Sequence, residues 1–390
     1  MAADLFLLVC ALLFGLGFRQ LFRHLPEERW QFVASLPLKK NGDGSWQGLN
    51  LTFYGLFTGL AGGFGVATFI LLTAAVGVSL MTTVLLTLGV LAICLPAAKI
   101  IATVVEKNRH GFTVGGASFV GIIIAPLFLW LADKASQHWW DTPLPTLPML
   151  AAMSIAYVMG EGIGRLACIS FGCCYGKALN DAPTWARRMF ATLNHVFIGK
   201  TKKIAFAGEM EAVKVIPIQA VTCVLYTALA LLCSALFFHQ LFALAFALSL
   251  VGSQLWRVYS ETLRADYRGG SKLFSVYQLM ALLAALYGVA ISIALPGHSD
   301  LQPLLHAGLG ALWTPGVILC LQLITVVMFF FSGTSTITTG ELRFGLAADW
   351  RSQAGCDGDH HQHDKKDTGQ PSGTASLGAT LRSSTPAPRP

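Results

Sequence analysis

Residues 51–98 read LTFYGLFTGLAGGFGVATFILLTAAVGVSLMTTVLLTLGVLAICLPAA. They lie within a longer interval, from Asp43 to Lys99, that contains no charged residue between its ends. A membrane-spanning helix needs roughly 20 mainly apolar residues, so this interval is long enough for two spans. The whole chain is 54% hydrophobic and only 12% charged. The sequence therefore predicts an integral membrane protein.

Apolar windows of spanning length continue over most of the chain. Together they predict about nine spans, near residues 4–18, 51–74, 80–104, 112–132, 147–169, 215–237, 240–258, 274–294 and 313–331. The first window is short, but its start, MAAD, lacks the positive flank of a signal peptide, so we predict a membrane anchor. The predicted fold is all-α, a polytopic membrane helix bundle. It has about seven core spans, one extra span at each end and a small polar cap.

Polar segments divide the chain into four predicted parts. These are an anchor span with a basic polar segment (1–47), a membrane core (48–295) with its polar cap (176–214), an extra C-terminal span (296–344), and a tail (345–390). The tail is rich in Gly, Ser, Thr, Pro and charge and cannot bury a core, so we predict that it is disordered. Its DGDHHQHDKKD run either binds a divalent metal or is simply solvated. No spacing there matches a structural zinc site, and no metal site is predicted.

Charged residues inside or beside the spans mark a candidate site. Residues 160–176 read GEGIGRLACISFGCCYG, which places Glu161 and Arg165 one helical turn apart. A second cluster contains Arg257, Glu261 and Arg264 at the end of another apolar helix. A charge at the centre of a span costs about 2.5–3.5 kcal/mol on insertion scales, so such residues usually face a polar cavity. The two clusters predict a polar chamber inside the bundle.

Several segments, in order, resemble the motifs of the prolipoprotein diacylglyceryl transferase family. They are LTFYGLFTG (51–59), GGASFVG (115–121), GRLACISFGCCYG (164–176), IPIQAV (216–221), and WRVYSETLRAD with the later SVYQLMAL (256–266 and 275–282). The third is similar to the family signature Gly-Arg-x-Gly-Asn-Phe-x-Asn-Gly-Glu-x-x-Gly. The last pair is similar to its Arg-x-x-x-Glu-x-x-Arg helix and Ser-x-x-Gln run.

The resemblance implies a function. Members of this family move diacylglycerol from phosphatidylglycerol to the lipobox cysteine thiol of a prolipoprotein. The implied partners are therefore phosphatidylglycerol and a protein or peptide thiol, and the implied location is the bacterial cytoplasmic (inner) membrane. We expect no cofactor and no nucleic-acid partner.

Two arginines carry the chemistry that the resemblance implies. Arg165 and Arg257 correspond to the principal phosphate ligands. A guanidinium fork can bind two phosphate oxygens in parallel and stays charged when partly desolvated. Because phosphoglycerol leaves as an anion, two guanidiniums beside it would stabilise the developing charge. The alternative is that these arginines form salt bridges between helices without any ligand.

The remaining candidates follow from motif position and helical spacing. Glu261 is one turn from Arg257 and is expected to fix its rotamer, and Arg264 lies one further turn along. Glycines of the GGASFVG segment allow backbone to approach a headgroup closely. The predicted catalytic residues are Arg165, Arg257, Glu261 and Glu161. The predicted substrate-binding residues are Arg264, Gly115, Gly116, Gly121, Tyr54, Gln219 and Cys173.

The chain also departs from the family pattern. Val120 stands where the family has a histidine, Cys168 where the signature has an asparagine, and Cys173 where it has a glutamate. His110 is a possible substitute for the missing histidine. Glu161 is a charge that the family pattern lacks, and we expect it to act as a base or as an arginine partner, since a buried carboxylate can have a pKa suited to accepting a thiol proton.

Cys168, Cys173 and Cys174 have three open interpretations. They pack as small hydrophobic side chains, they supply a nucleophile, or they take part in redox or metal chemistry. These interpretations bear on the function. The leading hypothesis is the diacylglyceryl transferase. The alternatives are a divergent lipid transferase with another acceptor, a non-catalytic protein that binds or transports anionic lipid, and a thiol–disulfide membrane protein.

Membrane orientation is also open from the sequence. Threading nine spans puts nearly all basic residues on one side and only Lys134 on the other. The positive-inside rule then favours a cytoplasmic location for residues 176–214. The resemblance instead implies that the cavity and the polar cap face away from the cytoplasm.

Overall fold

The computed structural model describes residues 1–40, 42, 46–105, 114–266, 275–295, 301–335 and 341–342. The chain divides into two compact units. The larger is formed by Met1–Val33 and Thr52–Thr334, and the smaller contains Ala34–Leu51 and resumes at Ser335. His110 and the predicted tail lie outside the described residues, so the interpretations placed on them stay predictions.

Helices make up most of the larger unit. In chain order they are α1 (Ala2–His24), α2 (Phe53–Ala75), α3 (Leu80–Val105), α4 (Val114–Trp140), α5 (Thr146–Phe171), α6 (Thr184–Met189), α7 (Lys203–Gly208), α8 (Ile218–Phe238), α9 (Phe242–Thr262), α10 (Val276–Ala294), α11 (Leu305–Leu312) and α12 (Pro315–Gly333). Short 3-10 turns occupy Glu28–Trp30 and Leu179–Asp181. Within the described ranges, nine helices are long and apolar enough to cross a membrane, namely α1–α5, α8–α10 and α12. The predicted all-α polytopic bundle with nine spans is therefore confirmed.

Helix α5 is the most buried span and packs against α2, α8 and α9. Small residues allow α2 and α5 to approach closely. A Cβ atom added to Gly160 would lie 3.2 Å from the carbonyl oxygen of Ala61, and one added to Gly65 would lie 3.3 Å from that of Ala156. Close backbone contact of this kind is the usual basis of helix association in lipid. Residues projecting from α5 are consequently held in fixed positions at the centre of the unit.

The extra C-terminal span packs directly on the first core span. A Cβ atom at Gly55 would overlap the backbone of Gly333, and one at Gly63 would lie 2.6 Å from Oγ1 of Thr325. The glycines of α2 thus form the contact face for α12. Both glycines of the LTFYGLFTG motif, Gly55 and Gly59, are therefore needed for helix packing in this chain.

The predicted polar cap has short elements of its own. Two strands, β1 (Phe32–Lys40) and β2 (Trp46–Thr52), precede the cap in the chain. Within the cap, β3 (His195–Val196) and β4 (Lys214–Val215) pair antiparallel. A small apolar cluster supports the region, and it consists of Leu179, Ala182, Ala186, Phe190, Ile216, Ile218 and Leu263. Because Leu263 follows α9, this cluster joins the cap to the C-terminal end of that helix.

A buried lysine attaches the cap to the bundle. Lys202 has no exposed surface, and its Nζ donates hydrogen bonds to the carbonyl oxygens of Leu25 (3.1 Å) and Ser170 (2.7 Å). These carbonyls lie at the C-terminal ends of α1 and α5, where no intrahelical donor is available. Burial lowers the pKa of Lys202 to about 7. A neutral amine still has two N–H donors, enough for both carbonyls.

Some local structure differs from the sequence predictions. The polar segment before α2 contains strands β1 (Phe32–Lys40) and β2 (Trp46–Thr52), which pair with each other. Strand β5 (Thr334–Ser335) follows α12, and β6 (Glu341–Leu342) pairs antiparallel with β2. Windows chosen to detect spans of about 20 residues miss strands of this length. Residues 115–121, the GGASFVG segment, lie in the first turns of α4.

Candidate functional site

One face of α5 supplies the centre of the site. Tyr157, Glu161 and Arg165 follow one another at intervals of four residues, so they lie on the same side of the helix. Glu161 Oε1 accepts a hydrogen bond from Arg165 Nη2. The same oxygen lies 3.8 Å from Arg257 Nη1, which belongs to α9. The three charged side chains are only 15% (Arg165), 4% (Glu161) and 11% (Arg257) exposed.

Helix α4 completes the surroundings of Arg257. Nη1 of Arg257 donates hydrogen bonds to the hydroxyls of Tyr157 on α5 (3.2 Å) and Ser118 on α4 (3.3 Å). A Cβ atom at Gly115 would lie 2.8 Å from Arg257 Nη2 and 3.1 Å from the ring of Tyr277. The sequence predicted that a lipid headgroup would approach the backbone at Gly115. In the structure, the guanidinium of Arg257 makes this close approach. Three helices, α4, α5 and α9, therefore fix the position of one arginine.

Arg264 lies just beyond the C-terminal end of α9, and two carboxylates hold its side chain. Its Nε and Nη2 donate to the two oxygens of Asp266, at 2.8 and 2.6 Å, in the bidentate geometry that guanidinium favours. Its Nη1 lies 3.5 Å from Glu261 Oε2. Helical spacing predicted that Glu261 would orient Arg257, and the structure instead places its carboxylate against Arg264.

Backbone pairing brings this segment to the end of α5. Gly176 forms an isolated antiparallel bridge with Arg264, and the amides of Lys177 and Ala265 donate to the carbonyls of Leu263 and Tyr175. The predicted signature segment and the predicted Arg-x-x-x-Glu-x-x-Arg helix consequently meet. Neither sequence motif contains a signal for this pairing, because it joins parts of the chain that are far apart.

A narrow cleft lies among these residues. Its lining consists of Arg165, Cys174, Ile218, Gln219, Thr222, Tyr226, Arg257, Ser260, Glu261 and Arg264. Its free volume is about 20 Å³, enough for about one water molecule. Any larger ligand must therefore displace side chains on entry.

Two polar atoms of the cleft residues lack partners within the described part of the chain. Arg165 Nε is a buried donor without an acceptor, and Gln219 Oε1 is a buried acceptor without a donor. The amide nitrogen of Gln219 is engaged, since it donates to the carbonyl of Cys173 at 2.9 Å. Buried polar groups are normally satisfied, so an unmet donor and an unmet acceptor in one cleft indicate a polar ligand.

The three cysteines of the signature segment lie together. Their Sγ atoms are all within 4.8 Å of one another, and those of Cys168 and Cys174 are 3.9 Å apart. Hydrogen bonds with the two neighbouring thiols, together with burial, raise the pKa of Cys173 well above its usual value. Since the thiolate is the nucleophilic form, this disfavours the interpretation of Cys173 as a nucleophile.

The other predicted residues lie around this centre. Gly116 is buried next to Gly115 at the start of α4. Gly121 faces α3, where a Cβ atom would lie 3.1 Å from Sγ of Cys94. The ring of Tyr54 packs edge-on against Phe171, with centroids 5.8 Å apart. The structure therefore brings Gly115 into the arginine cluster and places Gly121 at a helix–helix contact.

Sequence reasoning missed several residues of the site. Tyr157 had a detectable signal, because it precedes Glu161 by one helical turn. Ser118 lay inside a quoted motif but was given no role. Thr222 and Tyr226 also line the cleft, and the sequence marks neither because they belong to the otherwise apolar α8. Ser260 lines it too, and like Ser118 it lay inside a quoted motif without a role.

Comparison with known families fits this geometry. A model of the prolipoprotein diacylglyceryl transferase family matches residues 45–294, well over half of the chain. The chain belongs to the prolipoprotein diacylglyceryl transferase family. The match includes both arginines, the cleft and the polar cap, whereas α1, α11 and α12 lie outside it. No individual curated protein matches the chain.

Membership in the prolipoprotein diacylglyceryl transferase family gives the site its context. The family is a transferase family of lipoprotein biosynthesis, and this member is a multi-pass membrane protein. Its departures from the family motifs lie on two helices and the turn that follows one of them. Val120 is on α4, Cys168 is on α5, and Cys173 lies just beyond the end of α5.

Proposed function

We propose that this protein transfers diacylglycerol from phosphatidylglycerol to the cysteine thiol of a prolipoprotein in the bacterial cytoplasmic membrane. Family membership supports the reaction class. The observation that carries the choice of donor is the pair of unmet polar atoms in one cleft, Nε of Arg165 and Oε1 of Gln219.

The two atoms match the two parts of a phosphoglycerol headgroup. A phosphate group accepts hydrogen bonds and carries negative charge, which suits the guanidiniums of Arg165 and Arg257. A glycerol hydroxyl donates a hydrogen bond, which suits the oxygen of Gln219. A headgroup with both functions would satisfy both atoms at once.

The arginines also suit the proposed chemical step. The acceptor sulfur attacks the glyceryl carbon that carries the phosphate ester, so an S–C bond forms as the C–O bond breaks. The electron pair of that bond leaves with glycerol phosphate, whose freed oxygen takes up the proton of the acceptor thiol. Two guanidiniums already held in a buried site would stabilise this charge with little reorganisation. Because Glu161 pairs with Arg165, we assign it to holding the arginines rather than to removing the thiol proton.

The proposal is tested with the purified full-length protein in phosphatidylglycerol vesicles. Labelled diacylglycerol transfer to a lipobox peptide is measured for the wild type, Arg165→Ala and Arg257→Ala. Each substitution should lower kcat by about 100-fold or more, as expected for loss of a group that stabilises transition-state charge. Arg188→Ala is the matched control, because Arg188 is exposed on α6 and should leave transfer unchanged.

Three results would overturn the proposal. Full transfer in both arginine variants, with normal membrane insertion, would exclude a role for the two arginines in the transfer reaction. Release of glycerol phosphate only with a non-thiol acceptor would indicate a divergent lipid transferase. Binding of phosphatidylglycerol without any product would indicate a non-catalytic lipid-binding protein.

A further inference from the structure

We propose that Cys168, Cys173 and Cys174 form a binding site for one thiophilic metal ion of the Zn²⁺ class. The proposal concerns a site beside the cleft and does not depend on the transfer reaction proposed above. It rests on the convergence of three sulfur atoms that the sequence places in a C-x4-C-C spacing.

The distances between the sulfurs suit a single ion. A Zn–S bond is about 2.3 Å long, so two sulfurs on one zinc are about 3.8 Å apart in a tetrahedron and about 4.0 Å apart in a trigonal plane. The Sγ atoms of Cys168 and Cys174 are 3.9 Å apart, and all three lie within 4.8 Å of one another. Small side-chain rotations would therefore bring three thiolates into bonding distance of one metal.

The backbone holds the three cysteines in this arrangement. Helix α5 ends at a left-handed Gly172 (φ 69°), which donates to the carbonyl of Ile169, and the amide of Cys173 donates to the carbonyl of Cys168 at 3.1 Å. Cys174 also has positive φ (54°), a conformation that is uncommon for a residue with a side chain. The two left-handed residues, Gly172 and Cys174, flank Cys173 and keep this segment next to the last turn of the helix.

The surroundings favour a negatively charged metal complex. Three thiolates and one divalent ion carry a net charge of −1, and Cys174 lines the same cleft as Arg165 and Arg264. A bound divalent ion would itself displace the thiol protons, and the neighbouring guanidiniums would then stabilise the negative charge of the complex. Sulfur-only donor sets select Zn²⁺ or Cu⁺ over Mg²⁺ and Ca²⁺, which prefer oxygen. With three protein ligands, a zinc ion keeps a fourth position for water or another ligand.

The test uses Co²⁺ as a spectroscopic probe and Zn²⁺ as its competitor. The reduced full-length protein in detergent is titrated with Co²⁺, and sulfur-to-cobalt charge-transfer absorption is recorded. This absorption reports thiolate ligands. Because Cys356 lies near the histidines of the tail, the titration is repeated with Cys356→Ser, which should bind cobalt like the wild type. One equivalent should saturate the absorption, and Zn²⁺ should abolish it by displacing the cobalt.

Single variants locate the site. Cys168→Ser, Cys173→Ser and Cys174→Ser should each weaken Co²⁺ affinity by at least about tenfold, the factor for about 1.4 kcal/mol. Cys94→Ser is the matched control, because Cys94 lies on α3 against Gly121, and it should bind like the wild type. Thermal unfolding of each apo variant identifies any that fails to fold.

Other results would overturn the proposal. These are absence of charge-transfer absorption in the folded, reduced wild type, and absorption that persists unchanged in all three folded cysteine variants. Binding that disappears only after joint substitution of His360, His361 and His363 by alanine would assign the metal to the tail. None of these measurements uses the transfer reaction, so the metal site and the proposed function are tested separately.

Discussion

Nη1 of Arg257 lies 3.8 Å from Oε1 of Glu161, the same carboxylate oxygen that accepts a hydrogen bond from Arg165. The carboxylate thus holds two guanidiniums together in the buried centre of the bundle. It also neutralises part of the positive charge that a phosphate would meet, although Nε of Arg165 has no partner among the described residues. Under the proposed function, a donor lipid would compete with Glu161 for the charge of the two guanidiniums.

We predict opposite effects of Glu161→Gln on binding and on stability. The KM for phosphatidylglycerol should fall by about tenfold, the factor for 1.4 kcal/mol, because a neutral amide competes less well for the arginines. The free energy of unfolding should decrease by up to about 3–5 kcal/mol, the cost of removing one partner from a buried ion pair. Kinetics over a range of lipid concentrations and thermal unfolding measure the two quantities. Glu209→Gln, at an exposed position, is the control. An unchanged KM would contradict competition by Glu161.

Gly115→Ala should impair activity through Arg257. The added Cβ atom would lie 2.8 Å from Nη2, so the guanidinium must move. A displacement of about 1 Å in a catalytic group can reduce the rate by about 100-fold. Transfer kinetics should show a fall in kcat of at least about tenfold, while membrane insertion is retained. Gly121→Ala, on the same helix but facing Cys94, should have a much smaller effect on kcat. Equal losses in the two variants would indicate a general effect on α4.

Gln219→Leu should weaken selection of the lipid headgroup. The substitution removes an acceptor for a glycerol hydroxyl, and one neutral hydrogen bond contributes about 0.5–1.5 kcal/mol. We expect kcat/KM for phosphatidylglycerol to fall by about threefold to tenfold. For phosphatidic acid, which has no headgroup glycerol, any change should be smaller. Competition between the two lipids in mixed vesicles measures the difference. Equal losses with both lipids would mean that Gln219 acts only through its hydrogen bond to the carbonyl of Cys173.

Lys202 should make the stability of the protein depend on pH. Its pKa in the folded protein is about 7, below the ordinary lysine value of 10.5, because burial disfavours the charged form. Between these pH values the unfolded chain binds more protons than the folded chain, so stability should increase as pH rises from about 7 to about 10. Lys202→Met should lose this increase, and Lys200→Met, at an exposed position, should keep it. Thermal unfolding across that pH range measures the slope. The assignment would be contradicted if the stability difference between the wild type and Lys202→Met did not shift in favour of the wild type from pH 7 to pH 10.

The Ser-x-x-Gln run at the start of α10 has a structural role that is separate from its family resemblance. The Ser-x-x-Gln run was quoted for its family resemblance. In the structure, Ser275 and Gln278 form a capping box at the start of α10, and Gln278 Nε2 also donates to the carbonyl of Val258 at 3.1 Å. A serine followed three residues later by a glutamine satisfies two free amides at a helix start, a signal in the sequence that the prediction of this span did not use.

The amino-acid sequence by itself determined the number and placement of the spans. Long apolar runs such as residues 51–98 must leave water, and in lipid a helix satisfies its own backbone hydrogen bonds. The sequence also singled out Arg165 and Arg257, because a charge within a span is costly and needs a reason. Tertiary structure alone decided which side chains meet. The shared carboxylate of Glu161, the pairing of Arg264 with Asp266 and Glu261, the convergence of three cysteine sulfurs and the burial of Lys202 all depend on how separate segments pack. Sequence spacing within one helix constrains such contacts only locally, whereas their distances depend on the packing of the whole bundle.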